Sequence, residues 1–186
     1  KKHRLPENDA FVKGDIVFKN VNHKYNKDGS EHIALKNVNF IIRQNENIAL
    51  TGHIGSGKST LIKTMLKLTI PSSGTVSIGG VDINNISKKE FYSNVFYIPQ
   101  KPKLLNRTLY ENIVYGLDDQ KSKNETISKI INLMVFMKLD DVTKKTFSEK
   151  MDVPVGLEGS KLSGGQRQIV WIIRALMRNP SIIIMD

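Results

Sequence analysis

Apolar and polar residues alternate along DIVFKNV (15–21) and LKNVNFII (35–42), the pattern of strands with one face in a core. NKDGSE between them reads as a turn. NIALT (47–51) is a short apolar run leading into glycines, and it reads as a buried strand. The period then changes. In KSTLIKTMLKL, Leu61, Ile62, Met65 and Leu66 share one side of a helix, which PSSG ends. TVSIGGVDI predicts a strand, a Gly-Gly turn and a return strand, and VFYIPQ a strand closed by Pro99. TLYENIVYG and ETISKIINLMVFMKL carry helical spacing, whereas KLDDVTKKTFSEK is polar and reads as loop. A last helix sets Ile169, Val170, Ile172, Ile173, Leu176 and Met177 on an apolar face, with Arg167, Trp171, Arg174 and Arg178 opposite. Asn179-Pro180 stops it, and SIIIMD reads as a fully buried strand ending in Asp186. Strands alternating with helices predict an α/β protein with a mainly parallel sheet, into which the helical stretch from about 101 to 168 is inserted.

Composition narrows this picture only in places. The 186 residues, 39% hydrophobic, suit one domain or slightly more. No apolar run reaches the roughly 18 residues of a membrane helix. There is no cysteine, which removes disulfide and thiolate chemistry. The net charge of +10 is compatible with a polyphosphate ligand, an anionic membrane face or nucleic acid. The lysines are scattered without interleaved aromatics, so no nucleic-acid partner is expected. Residues 1–14 are polar and read as a tether; the chain starts at Lys1, so it is expected to be part of a longer protein.

The clearest chemistry lies in GHIGSGKST (52–60), which fits G-x-x-x-x-G-K-[ST] between a strand and an amphipathic helix. Gly52, Gly55 and Gly57 let the backbone curl so that N–H groups converge on an anion. The helix N-terminus behind them adds about half a positive charge. Lys58 can reach the β- and γ-phosphates and the Ser59 hydroxyl can hold Mg²⁺. The candidate nucleotide contacts are therefore Gly52, His53, Ile54, Gly55, Ser56, Gly57, Lys58, Ser59 and Thr60. Asp186, closing an apolar strand, is the candidate carboxylate for the metal.

A second anion grip appears in LSGGQ (162–166). Ser163 and Gln166 form the S-x-x-Q of a capping box. The box does not account for Gly164 and Gly165, which weaken a helix start unless something must approach its bare N–H groups.

With both motifs in place, the chain from about residue 15 onward resembles the nucleotide-binding domain of ABC transporters, of exporter type. The resemblance implies a P-loop NTPase core with an N-terminal antiparallel β-subdomain and a helical insert, incomplete at the C-terminus. It implies residues 15–100 as β-subdomain and phosphate-loop core, 101–168 as helical subdomain and 169–186 as signature helix and Walker B strand. It further implies that ATP held by the phosphate loop of one domain is closed over by Leu162, Ser163, Gly164, Gly165 and Gln166 of a second, in a homo- or heterodimer. Tyr25 matches the aromatic that stacks on adenine. Gln100 matches the glutamine that contacts Mg²⁺ and the attacking water, making Lys58, Gln100 and Asp186 the catalytic set and Ser59, Gln100 and Asp186 the metal set. LLNRTLYENIVYG (104–116) and VGLEGSKLSGGQ (155–166) are similar to exporter segments, although Pro154 stands where exporters usually carry an acidic residue.

On this resemblance the domain hydrolyses Mg-ATP to drive export, is held at the cytosolic face of a membrane, and is joined by residues 1–14 to a transmembrane domain. The glutamate that follows the Walker B aspartate in the family lies beyond Asp186, so the piece by itself is expected to be inactive. Two alternatives stay open: a soluble translation-associated ATPase of the same superfamily, and a degenerate module that binds ATP without turnover.

Overall fold

The computed structural model describes residues 13–27, 29–117 and 122–186. The tether reading of residues 1–14 falls almost wholly outside them. The chain divides into two compact units, one running to Val95 and the other from Phe96 to Asp186.

The first unit is built on a four-stranded antiparallel sheet in the order β2-β1-β3-β4. It comprises β1 (Ile16–Lys27), β2 (Ser30–Ile42), β3 (Ser73–Ile78) and β4 (Val81–Asp82). Strands β1 and β2 outrun the alternating stretches that predict them and meet at the pair Lys27–Ser30. Strands β3 and β4 turn through Gly79 and Gly80, both at positive φ, as the Gly-Gly signal requires. The alternation buries Ile16, Phe18, Val21, Val76 and Ile78. Phe18 stacks on Phe40 with ring centroids 4.4 Å apart. Two register shifts flank His23 in β1, where Ala34 on β2 is an extra residue between the pairs His23–Leu35 and Lys24–Ile33. A bulge of this kind bends the strand and re-aims its side chains.

Helix α1 (Lys58–Met65) and helix α2 (Lys88–Asn94) complete the first unit. The predicted apolar side of α1 is not what it buries most deeply. Thr60, Thr64 and Leu66 are buried, and Leu61, Ile62 and Met65 are half-buried. Thr64 tolerates this position because its hydroxyl donates to the Thr60 carbonyl at 2.9 Å. Residues 47–51 do not form the predicted strand; they are irregular, with Ile48 and Leu50 exposed. A strand exists only where a neighbour completes its ladder, and among the described residues none pairs with this segment.

The second unit holds β5 (Val95–Ile98) from its second residue on, beside β6 (Ile182–Met185), and helices α3 (Leu109–Val114), α4 (Lys123–Phe136), α5 (Asp141–Glu149) and α6 (Gly164–Arg178). Thus the described sheets are one antiparallel sheet and one strand pair, rather than a mainly parallel sheet. Only Ile184 of β6 is buried, so the reading of SIIIMD as fully buried is corrected; with β5 as its one described neighbour, Ile183 and Met185 stay exposed.

The core of this unit gathers Leu109, Ile113, Ile130, Met134, Phe147, Val170 and Ile173, all below 1% exposure. The stretch read as loop contains α5. Its cap is Asp140, whose carboxylate accepts from Thr143 N at 2.8 Å, and its anchor is the buried Phe147. One apolar anchor in a polar sequence leaves too little periodicity to see. Arg174 is also corrected: it is buried, not on a polar face. Its Nε donates to the Asn112 carbonyl at 2.7 Å and its guanidinium lies 4.6 Å from the Trp171 ring. Burial, then the nearby Arg178, pulls its pKa to about 10, so it stays charged at neutral pH.

Candidate functional site

In the first unit the phosphate loop leads directly into α1. Gly52, Gly55 and Gly57 all take positive φ. Gly57 occupies the N-cap in the left-handed region, and no side chain caps the helix, which leaves the first-turn N–H groups without a side-chain acceptor. A Cβ on Gly57 would lie 2.4 Å from the Ala34 carbonyl oxygen, the bulged residue of β2. We therefore expect Gly57→Ala to cost about 1–3 kcal/mol through the left-handed backbone, with the clash adding to it. A lowered Tm together with weakened nucleotide binding checks this.

The Lys58 Nζ donates to the carbonyls of Gly52 at 2.6 Å and His53 at 2.7 Å, and lies 3.3 Å from Ser56 Oγ. The cation is thus folded into the concave side of the loop. His53 and Ile54 are exposed at the loop's tip, Ile54 completely. Ser59 is exposed in the first turn, and Thr60 behind it is buried. Tyr25, from β1, brings its hydroxyl to 3.3 Å from Thr60 Oγ1, so the structure places the candidate adenine-stacking ring against the phosphate helix.

In the second unit the capping box forms in full. Ser163 Oγ accepts from Gln166 N at 3.1 Å, and Gln166 Oε1 accepts from Ser163 N at 2.9 Å. Leu162 is buried beneath it. Arg167 was not singled out for the site, yet its Nη1 donates to the Leu162 carbonyl at 2.6 Å and steadies the turn. Gly164 and Gly165 have no positive φ, and a Cβ at Gly165 would meet nothing within 4 Å. Neither backbone conformation nor internal packing demands these glycines.

Gln100 follows β5 and shares a cleft of about 520 Å³ with Gly164 and Arg167. Asp186 lies exposed at the end of β6, where its backbone N–H donates to the Ile98 carbonyl at 3.0 Å. Its Oδ2 accepts from the Tyr97 hydroxyl at 3.1 Å. Burial, then this hydrogen bond, raises the Tyr97 pKa above that of an ordinary phenol, so Tyr97 remains a donor at neutral pH. Strand alternation on β5 is the signal that could have revealed Tyr97. Within the second unit, the Gln100 amide oxygen and the Asp186 carboxylate, one oxygen of which is free of Tyr97, are donors of the type a hard divalent cation takes, and the Ser59 hydroxyl is another in the first unit.

A phosphate loop that encloses its own lysine and leads into a helix with no side-chain cap is the form of a P-loop nucleotide-binding protein. Comparison with known proteins places the chain within that class. The family described as ABC transporter matches residues 35–186, and the chain belongs to it. The transport/processing ATP-binding protein ComA of Streptococcus pneumoniae is 33% identical over 180 residues, covering 97% of this chain and 24% of ComA. The probable multidrug resistance ABC transporter ATP-binding/permease protein YheI of Bacillus subtilis is 35% identical over 183 residues, covering 97% of this chain and 30% of YheI. A solved structure of a bacterial Atm1-family ABC exporter with ATP bound matches with a TM-score of 0.76 at 29% identity, covering 95% of this chain and 30% of that one. The fold is accordingly the ABC ATPase fold, and the chain spans about a quarter to a third of the length of these relatives. Among the described residues no helix is long and apolar enough to cross a membrane.

Proposed function

We propose that the chain is the ATP-binding and ATP-hydrolysing domain of an ABC exporter, in which Mg-ATP draws two such domains together head to tail. The observation that carries this is the pair Gly164 and Gly165. Bare helix N–H groups beside open space suit the close approach of a γ-phosphate presented by another domain. Lys58 and the first turn of α1 hold the β- and γ-phosphates, and Tyr25 stacks on the base. Ser163 and Gly165 close on the γ-phosphate from the facing domain. On the family resemblance Ser59, Gln100 and Asp186 would be the ligands of Mg²⁺, which would offset charge on the phosphate oxygens. Tyr97, by donating to Asp186, keeps that carboxylate turned in one direction. ATP drives the change because it binds the closed pair more tightly than the open one. A transmembrane domain completes the exporter and holds the assembly at the cytosolic face of its membrane.

The test uses the absence of native cysteines in this chain. Cysteines are placed at the fully exposed Ile54 of one domain and at the exposed Lys161 beside the signature turn of the facing copy or partner chain. We expect a short bis-maleimide to join them when Mg-ATP is present and to fail without nucleotide. Cross-linking indifferent to ATP sinks the head-to-tail arrangement.

A further inference from the structure

His23 lies two residues before Tyr25 on β1, opposite the bulge at Ala34 of β2, and is only 6% exposed. Its Nδ1 lies 3.1 Å from the carbonyl oxygen of Ile70, and its Nε2 lies 3.4 Å from Thr69 Oγ1. A carbonyl can only accept, so Nδ1 carries a proton and donates; in the neutral ring Nε2 is then the acceptor for the Thr69 hydroxyl. Both nitrogens are engaged, and the ring cannot turn without breaking one contact. The ring meets Tyr25 edge to face at an interplanar angle of 77°, with centroids 4.5 Å apart.

The placement of these contacts along α1 gives them a purpose. Thr69 and Ile70 belong to the loop that leaves the C-terminal end of α1, and that loop is tied to the helix by Leu68 N donating to the Lys63 carbonyl at 2.9 Å. Tyr25 reaches the other end, at Thr60 in the first turn. The short segment 23–25 therefore spans the phosphate helix from end to end, with His23 fixed at one end and the Tyr25 hydroxyl at the other. A nucleotide bound in one conformation presents its base and γ-phosphate at one separation, so the ring that receives the base must be held at the matching distance from the helix that receives the phosphates.

We propose that His23 is the positioning residue of the nucleobase platform: by tying the loop after α1 to the Tyr25 ring, it holds that ring in register with the phosphate loop. This rests on the reading of Tyr25 as the base-stacking ring. A core histidine that only stabilises the fold would affect every ligand alike, whereas a platform strut affects only ligands that carry a base.

Equilibrium binding of ATP and of inorganic tripolyphosphate to the intact protein separates the two. His23→Ala is expected to weaken ATP about tenfold and leave tripolyphosphate unchanged. His23→Asn, whose amide nitrogen can take the place of Nδ1, is expected to recover most of the loss. In a Tyr25→Ala background, His23→Ala is expected to add nothing. Should His23→Ala melt below the assay temperature, His23→Phe keeps the ring and loses both hydrogen bonds, and is expected to show the same preference for the base-free ligand. Equal losses for ATP and tripolyphosphate, or additive losses in the double variant, would overturn the proposal. Failure of the Tyr25 reading looks different: Tyr25→Ala would then leave ATP affinity unchanged, and the strut would fall with it while the phosphate half of the site stood.

Discussion

Lys58→Ala removes ATP binding. The ammonium already sits where the loop curls, held by the carbonyls of Gly52 and His53. Those oxygens are weak substitutes for phosphate oxygens, so exchanging them for an incoming triphosphate favours the bound state. A hydrogen bond to a charged group contributes about 1.5–3 kcal/mol, and the lysine serves two phosphates, so the expected loss is about two to four orders of magnitude in affinity. The fold is not at risk, because Lys58 is only half-buried and its described contacts lie within the loop itself. Titration with ATP at fixed Mg²⁺, alongside an unchanged thermal melt, checks both halves of the statement. An unaltered affinity would mean that the loop does not hold the triphosphate.

Gly165→Asp is expected to leave ATP binding to the single domain intact and to abolish ATP-driven closure of two. The new Cβ meets nothing within 4 Å, so the substitution creates no clash inside the unit. The position is the second residue of α6, where a carboxylate interacts favourably with the helix dipole by about 0.3–1 kcal/mol. The melting temperature should therefore hold or rise slightly, which rules out misfolding as the cause of any loss. Across the closed interface the same carboxylate faces a γ-phosphate. Two unit charges about 4 Å apart repel by about 4 kcal/mol at an effective dielectric constant near 20, once for each of the two sites. Loss of the ATP-dependent cross-link between residues 54 and 161, with normal ATP titration of the same variant, is the expected pair of results. Normal closure would exclude the trans role of the turn.

These two variants act on the parts of the molecule that were plainest in the amino-acid sequence, and for a common reason. The phosphate loop and the signature turn are local: glycines with a required backbone conformation, a lysine six residues after the first of them, a serine and a glutamine three apart. The box at Ser163, whose hydroxyl accepts from Gln166 N at 3.1 Å, closes within four residues and needs no partner from elsewhere. The Gly-Gly turn between β3 and β4 was legible on the same grounds. Each of these motifs contains both halves of its own interaction.

What was misread depends on partners far away in the chain. Arg174 looked like a surface residue because helical spacing cannot know that Asn112, 62 residues earlier, supplies a carbonyl for its guanidinium. Helix α5 was missed because one buried phenylalanine, not a periodic stripe, holds it to its unit. The segment at 47–51 has the composition of a strand, but a ladder is a property of two segments. Tyr25 could be matched by motif, yet its place against Thr60, 35 residues on, and the support of His23 from Ile70, 47 residues on, emerged only when β1, opposite the bulge at Ala34, and the loop after α1 came together. The sequence by itself thus determined which backbone stretches can grip an anion, since those preferences are carried by single residues and their immediate neighbours. Tertiary structure alone decided which side chains brace those grips, because bracing is a relation between segments whose meeting no local pattern encodes.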